Sequence, residues 1–436
     1  MGTRGLVAMA ASAALAFSMG MTDATPPATH VDNPYAGVRG YVNPEWRAHA
    51  DAEAGGSLVS NNPTAVWLDR IAAIEGAPGR MGVRDHLDAA LAQGAGYIQF
   101  VTYNLPGRSC PLLVFDGDLA AHEIDRYERE YIDPIAEILS DPAYAGLRVI
   151  TVIEPGALPG LIANTGSRQF ATPTCETMRA NGNYVRGIRY AVARLHAIPH
   201  VYTYVDMSNH GLLGWDDNFY PAARLLADVV GATDAGLAGI DGIAINVAGY
   251  AALREPFIVV DDATRQSRWI DWNRYTDELS FARALRDELI SLRFPAGIGV
   301  LIDTSRNGWG GPDRPTEAST APDLNQRIDE SRVDRRFHKI NWCNERDAGI
   351  GERPRAAPVD GVDAYAWVKP PGESDGADEP WRDRSLRWLC DPEYGGNASG
   401  FHHDSGALAG APERGQWFPA HFQRLLANAH PPLAPN

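Results

Sequence analysis

Seven short, β-rich apolar runs, each closing on a polar residue, restrict the folds open to this chain more than any other feature. They are Thr64–Leu68 before Asp69, Ile98–Tyr103 before Asn104, Val149–Ile153 before Glu154, and Val201–Val205 before Asp206. Gly242–Ile245 before Asn246, Ile298–Ile302 before Asp303, and Ala364–Val368 before Lys369 complete the series. Between them lie Glu123–Leu139, Thr177–Leu195, Ala222–Val230 and Asp277–Leu292, whose apolar residues recur three and four apart, the helical period. Buried strands alternating with helices form parallel βα units. The expected fold is therefore α/β, a distorted (β/α) TIM-like barrel of seven strands, one short of the usual eight. Such barrels carry their chemistry at the C-terminal strand ends. One polar strand end merely caps the next helix; seven in order make a rim.

A chain of 436 residues with 44% hydrophobic content is long enough to bury one large barrel. No repeat or low-complexity linker divides it, so 30–436 reads as a single domain. Residues 1–29 read as an export signal with a short leader: Arg4, an apolar stretch from Gly5 to Met21, then small residues near Ala24 ahead of Pro26-Pro27. That stretch is too short for a spanning helix, and no second candidate follows. A secreted, extracellular chain is expected, with no membrane partner once the signal is removed. The net charge of −16 argues against nucleic acid and anionic membranes, but does not repel a neutral polysaccharide. Four cysteines, Cys110, Cys175, Cys343 and Cys390, include no CxxC pair. In an oxidising compartment an even count implies two disulfides rather than a metal site, and sequence alone allows three pairings. No cofactor is expected.

The strand-end motifs resemble glycoside hydrolase family six, the inverting cellobiohydrolases and endoglucanases that act on β-1,4-glucan. The likeness runs from Tyr41-Val42-Asn43-Pro44 to Gly415-Gln416-Trp417-Phe418. Its landmarks include Ala65-Val66-Trp67-Leu68-Asp69, Tyr103-Asn104-Leu105-Pro106-Gly107-Arg108, Ile153-Glu154-Pro155, Tyr204-Val205-Asp206, Asn341-Trp342-Cys343-Asn344 and the segment Trp367–Gly376. Asp303–Pro312 is similar to the bacterial cellobiohydrolase branch, in which long loops roof the cleft. The resemblance implies the pairs Cys110 with Cys175 and Cys343 with Cys390, each stapling a loop beside that cleft.

Inverting hydrolysis needs a carboxylic acid to protonate the leaving oxygen and a carboxylate, or a water chain leading to one, to activate water. The family's acid is the Asp of Ile-Glu-Pro-Asp; this chain has Gly156 there. A supporting Asp lies in the family's Gly-Arg-Asp-Cys; this chain has Ser109. The family's water-holding Ser becomes Phe115, and a sugar-stacking Trp becomes Leu212. Glu154 lies two residues before Gly156, so strand alternation directs it to the same broad face one layer lower; the family keeps this Glu beside its Asp, and the resemblance implies a structural role. Asp116 and Asp118 read as solvated loop acids. Asp375 stands as the remaining candidate base, with partnership to Lys369 as its alternative reading, and Asp206 as a network and substrate-binding residue.

The resemblance further implies that Trp67, Trp215 and Trp342 stack on glucosyl faces, with Asp69, Asn246, Lys369 and Glu373 as polar contacts. Trp269, Trp272 and Trp309 are expected to order loops. The expected function is binding of β-1,4-glucan or cello-oligosaccharides with little or no hydrolysis. The alternative is an active glucanase using a displaced carboxylate.

Overall fold

The computed structural model describes residues 1–2, 30–77, 79–112, 117–378, 386–395 and 403–434. The expected export signal, Phe115 and Asp116 lie outside the described residues. The strands are β1 (Val66–Leu68), β2 (Tyr97–Thr102), β3 (Arg148–Ile153), β4 (Val201–Asp206), β5 (Gly242–Ile245), β6 (Gly299–Asp303), β7 (Arg355–Val359) and β8 (Val362–Ala366). They form one sheet in the order β1-β2-β3-β4-β5-β6-β8-β7, parallel throughout except for the β7–β8 pair. The sheet curls until Thr64 and Trp367 meet in a parallel bridge, with Ala65 N donating to Trp367 O at 3.1 Å.

The seven expected strands are present, and the α/β class holds, but the sheet has eight strands rather than seven. The additional strand, β7, is an antiparallel edge joined to β8 by a tight turn. Its half-exposed Arg355-Ala356-Ala357-Pro358-Val359 offers no apolar run, and Pro358 lacks a ladder donor. Edge position, not sequence pattern, makes it a strand.

Both faces of the parallel strands are buried, as crossover helices require. Alternation sorts the side chains: Ile150, Val152, Tyr202, Tyr204, Ala244, Leu301 and Ala364 pack together inside the curl. Their neighbours Val149, Ile153, Val201, Val205, Ile243, Val300 and Ile302 meet the helices outside. Trp67, Tyr103, Asp206 and Asp303 continue the inward set to the C-terminal rim.

The helices follow their caps. The amphipathic stretch 177–195 divides at Gly182 (φ +70°), giving helices Pro173–Asn181 and Asn183–His196 instead of one. A left-handed residue costs glycine little, which is why the break falls there. In the second helix Gly187 lets the backbone approach Leu105, where a Cβ would come within 2.4 Å of Cδ2. The helix Glu278–Ser291 starts from Asp277, whose carboxylate accepts from Ser280 N at 2.8 Å. The two disulfides join Cys110 with Cys175 and Cys343 with Cys390, the pairing the family resemblance implies. Closing loops of these lengths stabilises the fold by roughly 2–4 kcal/mol each.

The segment 30–41 closes the N-terminal end of the curl. Val31 N donates to the Tyr202 hydroxyl (2.9 Å), Asn33 Nδ2 to Asp363 O (2.8 Å) and Tyr41 N to Tyr97 O (2.8 Å). His30 anchors it: Nε2 lies 2.7 Å from Asp241 Oδ1 and Nδ1 3.2 Å from Pro199 O. Two acceptors on one imidazole favour the cation, and the Asp241 hydrogen bond raises the His30 pKa above 6.5, against burial. A raised pKa contributes stability that is full below pH 6.5 and is lost as pH rises through the folded value. The His30 ring is substantially exposed, so solvent screening limits the effect to a few tenths of a kcal/mol. Urea midpoints of His30→Ala and the parent are expected to differ at pH 5.5 and to converge by pH 8.5.

Candidate functional site

At the C-terminal rim the long segments after β5, β6 and β8 wall a cleft of about 660 Å³. Residues from the segments 65–69, 103–112, 154–157, 247–250, 336–342, 369–375 and 414–416 line it. Among the described residues no group of three or more His, Cys, Asp or Glu side chains is placed to hold a metal ion.

Asp303 sets the positions of these walls. Its Oδ1 accepts from Ser305 N (3.0 Å) and Val368 N (3.3 Å), and its Oδ2 from Ala248 N (2.9 Å) and Lys369 N (3.0 Å). Its own carbonyl accepts from Asn246 Nδ2 at 3.0 Å. One buried carboxylate thus gathers the segments leaving β5, β6 and β8.

Asp375 is equally confined. Arg306 Nη1 reaches its oxygens at 2.8 and 2.9 Å, the Tyr250 hydroxyl donates at 2.6 Å and Asn344 N at 2.9 Å. Burial pushes its pKa up, but Arg306, Lys369 and these hydrogen bonds outweigh that and leave it below the ordinary value. The direct ionic partner is therefore Arg306 and not Lys369, whose Nζ instead lies 3.0 Å from Glu373 Oε2.

Ser109 and Gly156 both border the cleft. Both have left-handed backbones, at φ 61° and 78°. A Cβ on Gly156 would meet no atom of the described residues within 4 Å. Gly156 N donates to Asp206 Oδ2 at 2.8 Å, and Ser208 N donates to the same oxygen at 3.1 Å. Burial pushes the Asp206 pKa up to about 7 against these two donors. Ser109 Oγ lies 3.0 Å from the Tyr103 hydroxyl and 3.5 Å from Arg414 Nη1. Glu154 does not continue the inward alternation, because its φ of 46° breaks the strand. Its carboxyl accepts from Asn104 N, Leu105 N and the Tyr127 hydroxyl, a structural role, and burial raises its pKa to about 7. Asp118 Oδ2 accepts from Ile71 N and anchors a loop.

Of the residues expected to contact sugar, Trp67, Asp69, Trp342, Lys369 and Glu373 border the cleft, as does Leu212. Trp67 is half-buried, held by Nε1 donating to Val368 O at 2.8 Å and set edge-on to Tyr103. Asp69 forms a two-pronged pair with Arg70. Asn246 does not reach the cleft. Its amide is 1% exposed and spans Asp303 O and Ala251 N, so it braces the β5 segment instead of touching ligand. Trp215 stands behind Lys339, whose Nζ is 5.2 Å from its ring, and donates Nε1 to Asp271 O. Trp269 and Trp309 are buried, under Arg332 and through a bond to Tyr250 O respectively, whereas Trp272 is 57% exposed beside Arg265.

The model of the family described as glycosyl hydrolases family 6 matches residues 28–429. This chain belongs to that family. Exoglucanase A of Cellulomonas fimi is 42% identical over 94% of the chain, which spans 50% of that relative's length. The catalytic domain of Cellulomonas fimi Cel6B superposes with a TM-score of 0.86 at 42% identity, covering 94% of this chain and 97% of that one. Cellobiohydrolase II (Cel6A) from Humicola insolens, in complex with glucose and cellotetraose, aligns at a TM-score of 0.69 and 28% identity over 92% and 99% of the two chains.

Several cleft residues of this family 6 member carry no signal in the sequence. Arg414 lies over Trp342 (5.7 Å) and donates to the Tyr103 hydroxyl at 3.2 Å, a contact 311 residues apart. Arg306 is fully buried, and nothing in an Asn- and Gly-rich segment marks it as the partner of Asp375. Lys339 is buried between Trp215 and Trp269, and burial lowers its pKa to about 7. An aromatic beside a cation in a long loop would have been the only available hint.

Asp303→Asn would turn an amide NH₂ toward two buried N–H donors. A loss of about 2–4 kcal/mol is expected, read as a lower urea midpoint at unchanged slope.

Proposed function

We propose that this chain is exported, binds β-1,4-glucan chains or cello-oligosaccharides in its cleft, and hydrolyses them far more slowly than family members with carboxylates at the Ser109 and Gly156 positions. The observation that carries this reading is the cleft's centre. Gly156 offers open space where an acid would stand, and Ser109 offers a hydroxyl that holds its proton too tightly to donate near neutral pH.

Both positions have positive φ, a region in which Asp is among the better-tolerated side chains, which supports reading them as former Asp sites. Asp375 retains its charge, but Arg306, Tyr250 and Asn344 occupy its lone pairs, so it is a weak proton acceptor. The binding half of the reading rests on Trp67 and Trp342, half-buried on the cleft wall with aromatic surface left for a pyranose face. Charged neighbours Lys369, Glu373 and Arg414 supply donors and acceptors for hydroxyls. The relatives' names, an exoglucanase and a cellobiohydrolase solved with cellotetraose, point to the same ligand class. Export accords with the N-terminal sequence and with two disulfides.

Removing a general acid costs about 10²–10⁴-fold. Ser109→Asp combined with Gly156→Asp is expected to raise soluble sugar release from phosphoric-acid-swollen cellulose by that order. The left-handed backbone at Gly156 subtracts only about 1 kcal/mol of stability. A parent already as fast as the double variant would end the slow-enzyme reading. Separately, Trp67→Ala is expected to weaken cellohexaose binding, followed by tryptophan fluorescence, about tenfold. A parent that shows no fluorescence response to cellohexaose would end the glucan reading itself.

A further inference from the structure

Three apolar side chains that border the cleft share one support. Trp388 and Leu389, 1% and 0% exposed, form a small buried cluster separate from the main core. Phe170, Ile340 and Trp342 pack against it, and each is half-buried. Trp342 is expected there from the motif around it. Phe170 is not, because it closes a loop whose preceding residues, Thr165-Gly166-Ser167-Arg168-Gln169, are small or polar. Single apolar residues left partly in water are ordinary on protein surfaces. Phe170 differs in bordering the same cleft as Trp342 and in resting on the same floor.

Its place is also fixed. Asn164 Nδ2 donates to Phe170 O at 2.9 Å, and Thr172 N donates to Asn164 O at 3.0 Å, which closes the loop on itself. Asn164 is buried and caps the helix Ala157–Ala163. The hydroxyls of Thr172 and Thr174 both donate to Cys110 O, and the disulfide from Cys110 to Cys175 ties the same two segments. The second disulfide joins Cys343, next to Trp342, to Cys390, next to Leu389. A binding surface whose parts are held before the ligand arrives loses less freedom when it is occupied.

We propose that Phe170 is a glucan-stacking residue, which together with Ile340 and Trp342 makes an apolar patch on the cleft border that holds a glucosyl unit by its C–H face. The proposal rests on the reading of the cleft as a β-1,4-glucan site. A β-1,4-linked glucosyl unit carries its hydroxyls around its edge and presents C–H groups on its faces. Such a face can lie on phenyl and aliphatic carbon without burying an unpaired hydroxyl. Phe170 and Ile340 have no side-chain donor or acceptor, so a ligand held there by its hydroxyls would gain nothing from them. The ligand chemistry that fits the patch is therefore the sugar face.

The test uses the full chain, unmodified and as Phe170→Leu, Phe170→Tyr and Phe170→Ala. Cellohexaose binding is followed by isothermal titration calorimetry, since fluorescence would also report any disturbance of Trp342 and Trp388. Leu keeps apolar bulk against Trp388 and Leu389 but lacks a flat ring, whereas Tyr keeps the ring. The expected dissociation constant rises about tenfold in Phe170→Ala and about fivefold in Phe170→Leu, and stays within about threefold of the parent in Phe170→Tyr. The urea midpoints of the Leu and Tyr variants are expected to match the parent. A Leu variant that binds as tightly as the parent would show that Phe170 only fills space, and would overturn the proposal. A Tyr variant as weak as the Leu variant would do the same, as would weaker binding in Phe170→Leu accompanied by a lower urea midpoint. The Leu and Tyr pair decides the matter even if Phe170→Ala does not fold. These outcomes leave the glucan reading of the cleft in place, whereas a parent with no affinity for cellohexaose would end that reading and this proposal with it.

Discussion

The carboxylate of Asp303 is the interaction on which the cleft depends. Three segments leave the rim beside one another, after β5, β6 and β8, and each is too long to be positioned by its strand alone. Four backbone N–H groups drawn from all three converge on this one side chain, and Asn246 adds a fifth hydrogen bond to its carbonyl. Burial penalises the charge, yet its full set of donors replaces the lost water. Lys369 and Ala248 therefore start from fixed points, and the residues that follow them inherit that precision. Asp375 repeats the arrangement one layer out, with Arg306 holding the Trp367–Gly376 segment against the β6 segment.

Around this framework the cleft's centre is unusual in its electrostatics. Acidic side chains are present, but nearly all are neutralised or consumed by hydrogen bonds. Asp206 is set apart by burial, by the Gly156 and Ser208 donors on one oxygen, and by a second oxygen that finds no donor among the described residues. Ser109 shares its hydroxyl with Tyr103 and Arg414, so a cation stands near a position that the resemblance assigns to a carboxylate.

Much of this was legible along the chain. Parallel strands buried on both faces must be continuous apolar runs, so all seven were visible, as were the polar residues that end them. The motifs at those ends marked Trp67, Asp69, Asp206, Trp342, Lys369, Glu373 and Asp375, and the structure gathers every one of them at a single cleft. Asn246 belonged to the same pattern and yet serves the scaffold, because a strand-end amide can turn inward as readily as toward a ligand. The helix over 177–195 divided because a single αL glycine outweighs an otherwise continuous apolar stripe. Strand β7 escaped notice because an edge strand needs only one partner and no buried face.

The sequence by itself determined the layered α/β core, the family, and the identity of the side chains at the reaction centre, since these follow from local periodicity and from residue types in order. Only the tertiary structure decided which cations meet which carboxylates, that Arg306 and not Lys369 holds Asp375, and that one oxygen of Asp206 finds no donor among the described residues. Those outcomes depend on distances between residues tens to hundreds of positions apart. Charge, burial and hydrogen-bond supply at a point in space are sums over all the segments that reach it, and no single stretch of the chain contains that sum.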